Sequence, residues 1–256
     1  MPGGRFDSSR TRAAPFFDTL VARDATGSSW LPELLDLPEH GSTTIAQVSG
    51  ELVDSAWGEK ERGLPAPASL LSWLVRNLKC PSSMKEEGLR PERRDLLEGD
   101  EERIAEGLRL LDEEGKDRAW YVFEGPSHPD VYLATSDAIV VIEGKRTERG
   151  PTDPTTWMPV GSQMLRHLDA ALDLAGPRAL YGFFMVEGPA DGSIPGVWQE
   201  AARGTLDADL VEKSLPHRSR AERERIVEAF LGVTTWQRAC AALGVPVEEL
   251  PDEVAG

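Results

Sequence analysis

Five consecutive apolar residues, Ala138-Ile139-Val140-Val141-Ile142, run directly into Glu143-Gly144-Lys145, and this junction constrains the fold more than any other stretch of the chain. A continuous apolar, β-branched run of this length predicts a strand covered on both faces, with residues 143–145 at the point where it leaves the core. Strand side chains alternate, so Glu143 and Lys145 share one face, while Gly144 between them leaves a backbone carbonyl open to a ligand. Residues 131–134 predict a preceding strand and Thr135-Ser136-Asp137 the turn, so the hairpin returns Glu143 towards Pro129-Asp130. Two carboxylates and an ammonium converge.

The surrounding pattern predicts one α/β domain. Apolar residues at helical spacing predict helices over 68–79, over 100–114 with Asp100 as cap and Gly115 as stop, and over 162–174, ended by Gly176-Pro177. Residues 119–124 (AWYVFE) predict a strand before the hairpin, and 179–186 (ALYGFFMV) a strand apolar enough to be covered on both faces. The predicted order over 100–187 is therefore α-β-β-β-α-β. Residues 1–45 are expected to be peripheral or loosely ordered, 46–99 a helical cover, and 188–256 a loop-rich extension with helices over 220–231 and 235–243.

The pair Pro129-Asp130 and Glu143-Gly144-Lys145, in that order and on those elements, resembles the active-site motif of the PD-(D/E)xK nuclease superfamily. A second Glu-Gly-Lys at 114–116 follows a helix, and a second Pro-Asp at 251–252 ends the chain, so only one pairing has the required context. The resemblance implies a restriction-endonuclease-like α-β-β-β-α-β core, with a central mixed sheet flanked by helices and helical additions at both ends. It also implies a metal-dependent hydrolase that cleaves phosphodiester bonds, in DNA rather than RNA. Asp130 and Glu143 would hold Mg²⁺, or Mn²⁺ in its place, with the Gly144 carbonyl as a third ligand. Lys145 would orient the attacking water or stabilise developing charge, since an ammonium between two carboxylates tends to stay protonated. The helix after the motif carries Gln163 and His167 on one face. Some members of the superfamily have Gln-x-x-x-Tyr there, and this sequence departs from that pair with His167 in the Tyr position. Both residues are candidates for substrate contact, or for nothing beyond the helix surface. An acidic residue on the first core helix is common in the superfamily; Glu101, Glu102, Glu106 and Glu59 are all available.

Composition limits the alternatives. Cys80 and Cys240 are the only cysteines, without a CxxC pair, which argues against a disulfide framework or a structural zinc site. No apolar run approaches the ~20 residues that span a bilayer, and no signal-peptide pattern opens the sequence, so a cytoplasmic protein with no membrane partner is expected. The formal net charge of −16 runs against polyanion binding. Basic residues do group at 90–94, 145–149 and 218–225, and Trp157 lies in a tract that could flank the site, for base stacking or for ordinary packing. The charge keeps a second reading open, a non-catalytic nucleic-acid-binding or scaffold protein on the same fold. Cleavage of both strands would suit a homodimer.

Overall fold

A computed structural model describes residues 7–79, 89–114, 119–148, 150–151, 157–158 and 160–253. Along the chain run α1 (Ala14–Arg23), α2 (Leu31–Leu35), β1 (Glu39–His40), β2 (Leu52–Trp57), α3 (Ala68–Asn77), α4 (Pro91–Glu98) and α5 (Glu101–Glu114). They are followed by β3 (Val131–Thr135), β4 (Ala138–Lys145), α6 (Gln163–Ala175), β5 (Ala179–Val186), α7 (Gly196–Thr205), α8 (Ala208–Ser214), α9 (Arg220–Ala229), β6 (Phe230–Thr235) and α10 (Trp236–Leu243). The strands form one six-stranded mixed sheet in the order β1-β6-β5-β4-β3-β2, flanked by helices. Strands β2, β3 and β4 are an antiparallel meander; β5 lies parallel to β4 and β6 parallel to β5.

Every residue of β4 is buried, as the apolar run demands. The tight turn into it is fixed by Thr135 Oγ1, which donates to Asp137 Oδ1 at 2.6 Å and accepts the Ala138 N–H at 2.9 Å. Alternation then divides the strand between two cores. Ile139 and Val141 pack with Leu165, Leu168 and Leu172 of α6, in a core completed by residues from α7, α8 and α9. Val140 and Ile142 pack on the opposite face with Phe16 and Phe17 of α1 and Trp236 of α10. Full burial of each such side chain contributes about 1.5–3 kcal/mol, so the two-sided core anchors the strand that ends in the charged triplet. Helix α6 comes close to the sheet over Gly182, where a Cβ would lie 2.7 Å from Leu168 Cδ2 and 3.0 Å from Met164 Sδ.

Three expectations need correction. Residues 119–124 form a turn, not a strand: Val122 N–H bonds the Ala119 carbonyl at 3.1 Å, and the Arg93 guanidinium binds the carbonyls of Ala119, Trp120 and Val122. Their aromatic side chains fill a third cluster, where Tyr121 and Phe123 pack with Leu70, Leu74 and Leu96 of α3 and α4. The first strand of the meander is instead β2, from the segment expected to be only helical cover, and α3 to α5 are inserted between it and β3. Finally, the segment 1–45 is not peripheral where it is described, because Phe16, Phe17, Leu31 and Leu34 are at most 1% exposed and form much of one core. Among the described residues, no helix is long and apolar enough to cross a membrane.

Candidate active site

The site lies at the C-terminal end of β4, where alternation keeps Glu143 and Lys145 on the α6 side of the sheet. The register that pairs Val131 with Ile142 brings Asp130, one residue before β3, opposite Glu143. Lys145 Nζ is 2.9 Å from Glu143 Oε1, and both residues are almost fully buried. Helix α6 supplies the rest of the Glu143 environment. Gln163 Nε2 donates to Oε1 at 2.6 Å, and His167 Nε2 lies 2.9 Å from Oε2. These two residues are four apart, one helical turn, so both side chains reach the same carboxylate.

His167 continues to Ser127, whose Oγ is 2.7 Å from Nδ1. With Glu143 ionised, the ring donates from Nε2 to the carboxylate and, when neutral, accepts the Ser127 hydroxyl at Nδ1. His167 is 1% exposed and both ring nitrogens are engaged. Its place is therefore behind Glu143, as an orienting group, rather than against substrate.

Asp130 is held differently. Its Oδ2 accepts the Gly144 N–H at 2.7 Å and the Ser8 hydroxyl at 3.4 Å; the same hydroxyl lies 3.0 Å from the Gly144 carbonyl oxygen. Gly144 is required at this point, because a Cβ there would stand 2.9 Å from Asp130 Oδ2 and 3.1 Å from Trp236 Cζ2. The two carboxylates also differ in charge state. Burial, then the negative charges of Glu143 and Glu61, raise the Asp130 carboxyl well above the usual carboxylate range, against the opposing pull of the Gly144 N–H and Lys145. Burial pushes Glu143 the same way, but the His167 hydrogen bond and the nearby Lys145 ammonium outweigh it, and Glu143 is held low. The two carboxyls are thus pushed in opposite directions.

These donors suit a hard divalent cation. The acceptors at the site are oxygens: the two carboxylates, the Gly144 carbonyl and, on α6, Gln163 Oε1, a buried acceptor without a hydrogen-bond partner. A carboxylate offers about four lone-pair positions, and Asp130 and Glu143 each retain capacity after the bonds described. Among the described residues, no three His, Cys, Asp or Glu side chains cluster as metal ligands. A cation here would complete its shell with water and phosphate oxygen, the habit of Mg²⁺ rather than of a caged structural metal.

All five residues singled out in the sequence, Asp130, Glu143, Lys145, Gln163 and His167, therefore meet around one point. The upstream acids do not. Glu106 pairs with Arg103 on α5, in the inserted cluster with Glu101 and Glu102, while Glu59 is exposed and pairs with Arg10 at 3.1 Å. The acid whose charge reaches Asp130 is Glu61, just beyond β2, and its signal in the sequence was hidden because β2 itself went unrecognised. Ser8 and Ser127 were missed as well; an isolated hydroxyl has no spacing that marks it. Trp157 meets Phe123 edge to face at 4.9 Å and so serves packing, while residues 149, 152–156 and Cys80 lie outside the described residues. The basic group 218–225 is tied up internally, with Arg218 bonded to Asp169, Asp173 and Glu222 and Arg220 to Glu224. The chain matches no protein-family model, no curated protein and no solved structure.

Proposed function

We propose that this chain is a divalent-metal-dependent nuclease of the PD-(D/E)xK type that hydrolyses phosphodiester bonds in DNA. The observation that carries the reading is the pair of carboxylates, half-buried Asp130 and buried Glu143, converging with Lys145 at the end of a central strand. The topology supports it: an antiparallel meander, a crossover helix and a strand parallel to the third of the meander follow the restriction-endonuclease-like order, with α1 packed on the sheet face opposite α6.

In this reading Asp130 and Glu143 hold Mg²⁺, or Mn²⁺ in its place, which supplies charge neutralisation at the phosphoryl oxygens and a more acidic water. The chain's own groups do the positioning. His167 and Ser127 fix the Glu143 carboxylate from behind. Gln163 Oε1, with no partner of its own, accepts a hydrogen bond from the attacking water, and Lys145 places positive charge beside the oxygen that gains charge. Attack on both strands of a duplex would use two copies of the chain.

The test incubates wild type and Lys145→Ala with circular single-stranded, circular duplex and linear DNA in Mg²⁺, Mn²⁺ or EDTA, with circular dichroism as a folding control. Metal-dependent cleavage lost in a folded variant is the expected outcome. The strongly acidic balance keeps open a second reading, a non-catalytic nucleic-acid-binding or scaffold protein on the same fold. Absence of cleavage and of metal binding in folded wild type would select that second reading.

A further inference from the structure

The N-terminus of α6 holds donors that the reaction described above does not use. Ser162 sits at its N-cap position with extended backbone, φ −99° and ψ 132°, where a serine hydroxyl ordinarily accepts an N–H of the first turn. It makes no such bond. The hydroxyl is buried without a hydrogen-bond partner, in a residue only 9% exposed. The same chain caps other helices in the ordinary way: Asp207, Ser219 and Thr235 each accept a first-turn N–H of α8, α9 and α10.

Two further features set this helix start apart. The backbone bond from Arg166 N–H to the Ser162 carbonyl, at 3.1 Å, opens the helical ladder, so the N–H groups of Gln163, Met164 and Leu165 precede it. No acidic residue occupies the first turn, although acids are favoured there, and Arg166 follows at the end of it. A 13-residue helix presents a developed positive dipole end, and among the described residues no partner takes its first-turn N–H donors, an arrangement that favours an anion. It adjoins the reacting centre directly, because Gln163, the next residue, bonds Glu143 at 2.6 Å.

We propose that the N-terminus of α6 is a phosphate subsite, with the Ser162 hydroxyl and the first-turn N–H groups as donors. Resting on the nuclease reading, its ligand is a phosphate of the bound strand neighbouring the one being cleaved. Ser162 is left uncapping because its hydroxyl serves the ligand rather than the helix.

Thermal midpoints of the full chain in EDTA, in sodium phosphate against sodium chloride of equal ionic strength, test the subsite without any catalytic step. Wild type, Ser162→Ala and Ser162→Asp are compared. Phosphate is expected to raise the wild-type midpoint by several degrees more than chloride does, the shift shrinking in Ser162→Ala and vanishing in Ser162→Asp. The introduced carboxylate caps the helix and repels phosphate, so the Asp variant alone should be at least as stable as wild type. Fluorescence anisotropy with a labelled single strand of about 20 nucleotides, again in EDTA, should show affinity reduced about tenfold in Ser162→Asp. Equal phosphate shifts in the three proteins, or equal strand affinities, would overturn the subsite. A shift lost in the Asp variant, in a wild type that cleaves no DNA, would keep the subsite and remove the nuclease reading. Cleavage by wild type with equal shifts would do the reverse.

Discussion

Replacing Gly144 with alanine tests the seat of Asp130. The added Cβ would lie 2.9 Å from Asp130 Oδ2, 3.1 Å from Trp236 Cζ2 and 3.5 Å from Ser8 Cβ. Non-bonded carbon contacts are comfortable near 3.5–4.0 Å, so the carboxylate or the indole must retreat by roughly 0.5 Å. Trp236 is fully buried against Phe16, whereas Asp130 is only half-buried, so the carboxylate is the group that yields. Its 2.7 Å bond from the Gly144 N–H is lengthened in the process. Overpacking costs about 1–3 kcal/mol. Alanine offsets about 0.5–1 kcal/mol of this by losing less backbone freedom than glycine. A net cost of up to ~2.5 kcal/mol lowers the melting midpoint of a chain this size by no more than about 10 °C. Misplacing a reacting group by about 1 Å costs on the order of 100-fold in rate, so cleavage should fall about 10- to 100-fold below the midpoint. Initial rates of plasmid cleavage in Mg²⁺, with scanning fluorimetry on the same samples, provide the measurement. Gly182→Ala is the control: its Cβ meets Leu168 and Met164, away from the carboxylates, so it should lower the midpoint and spare the rate of the folded fraction. Unchanged rate and midpoint in Gly144→Ala would refute the close seating of Asp130 on this backbone.

Arg218→Ala should destabilise by roughly 3–5 kcal/mol in urea titrations, because the guanidinium bonds the Asp169 carboxylate at 2.7 Å and its carbonyl at 3.1 Å, and its removal strips a buried acid of its main partner; a loss below ~1 kcal/mol would count against this network. Asp137 is held well below the usual carboxylate range by hydrogen bonds from Thr135 and then Ser49. A depressed carboxyl stabilises above its unfolded value and loses that effect as pH falls through the folded one, so Asp137→Ala should cost about 1–2 kcal/mol at pH 7. Urea midpoints of the two proteins should converge in strong acid, and a gap independent of pH would contradict the assignment. Burial pushes the Cys240 thiol up to about 12, so in a Cys80→Ser background it should resist a thiol reagent at pH 8 until the chain is unfolded. Labelling of the native protein at the unfolded rate would show that this core opens readily.

The middle of the fold was legible because its signals are local and strong. The run 138–142 could only be a covered strand, and 162–174 appears as α6 within one residue at each end. Strand β2 was not legible: Leu52-Val53-Asp54-Ser55-Ala56-Trp57 lacks a clean alternation, and it forms by pairing with β3 across the α3 to α5 insertion. Residues 119–124 misled for the opposite reason. Their aromatic, β-branched composition suits a strand, but Arg93 binds three of their carbonyls and sets the backbone into a turn. Tertiary bonds overrode local preference in both places. The site was read in the same measure. Asp130, Glu143 and Lys145 follow from one hairpin, whereas Ser8, Glu61 and Ser127 come from distant segments brought in by folding.

The net charge of −16 takes on a narrower meaning beside this site. Among the described residues, cations near it are engaged: Lys145 with Glu143, Arg12 and Arg146 with Glu187, and Arg166 with Glu124. Long-range attraction of a polyanion to such a surface is weak, and opposed by the acidic remainder. On the nuclease reading, affinity would then come from short-range groups that do not register in a charge count, namely backbone N–H donors, hydroxyls and a cation carried by the carboxylates. A basic nuclease would lose DNA steeply as salt rises, since each phosphate neutralised by Lys or Arg releases counterions. If the chain binds DNA as proposed, few phosphates would be neutralised that way, and binding should depend little on monovalent salt and strongly on divalent metal, the inverse of a protein that binds through a basic patch.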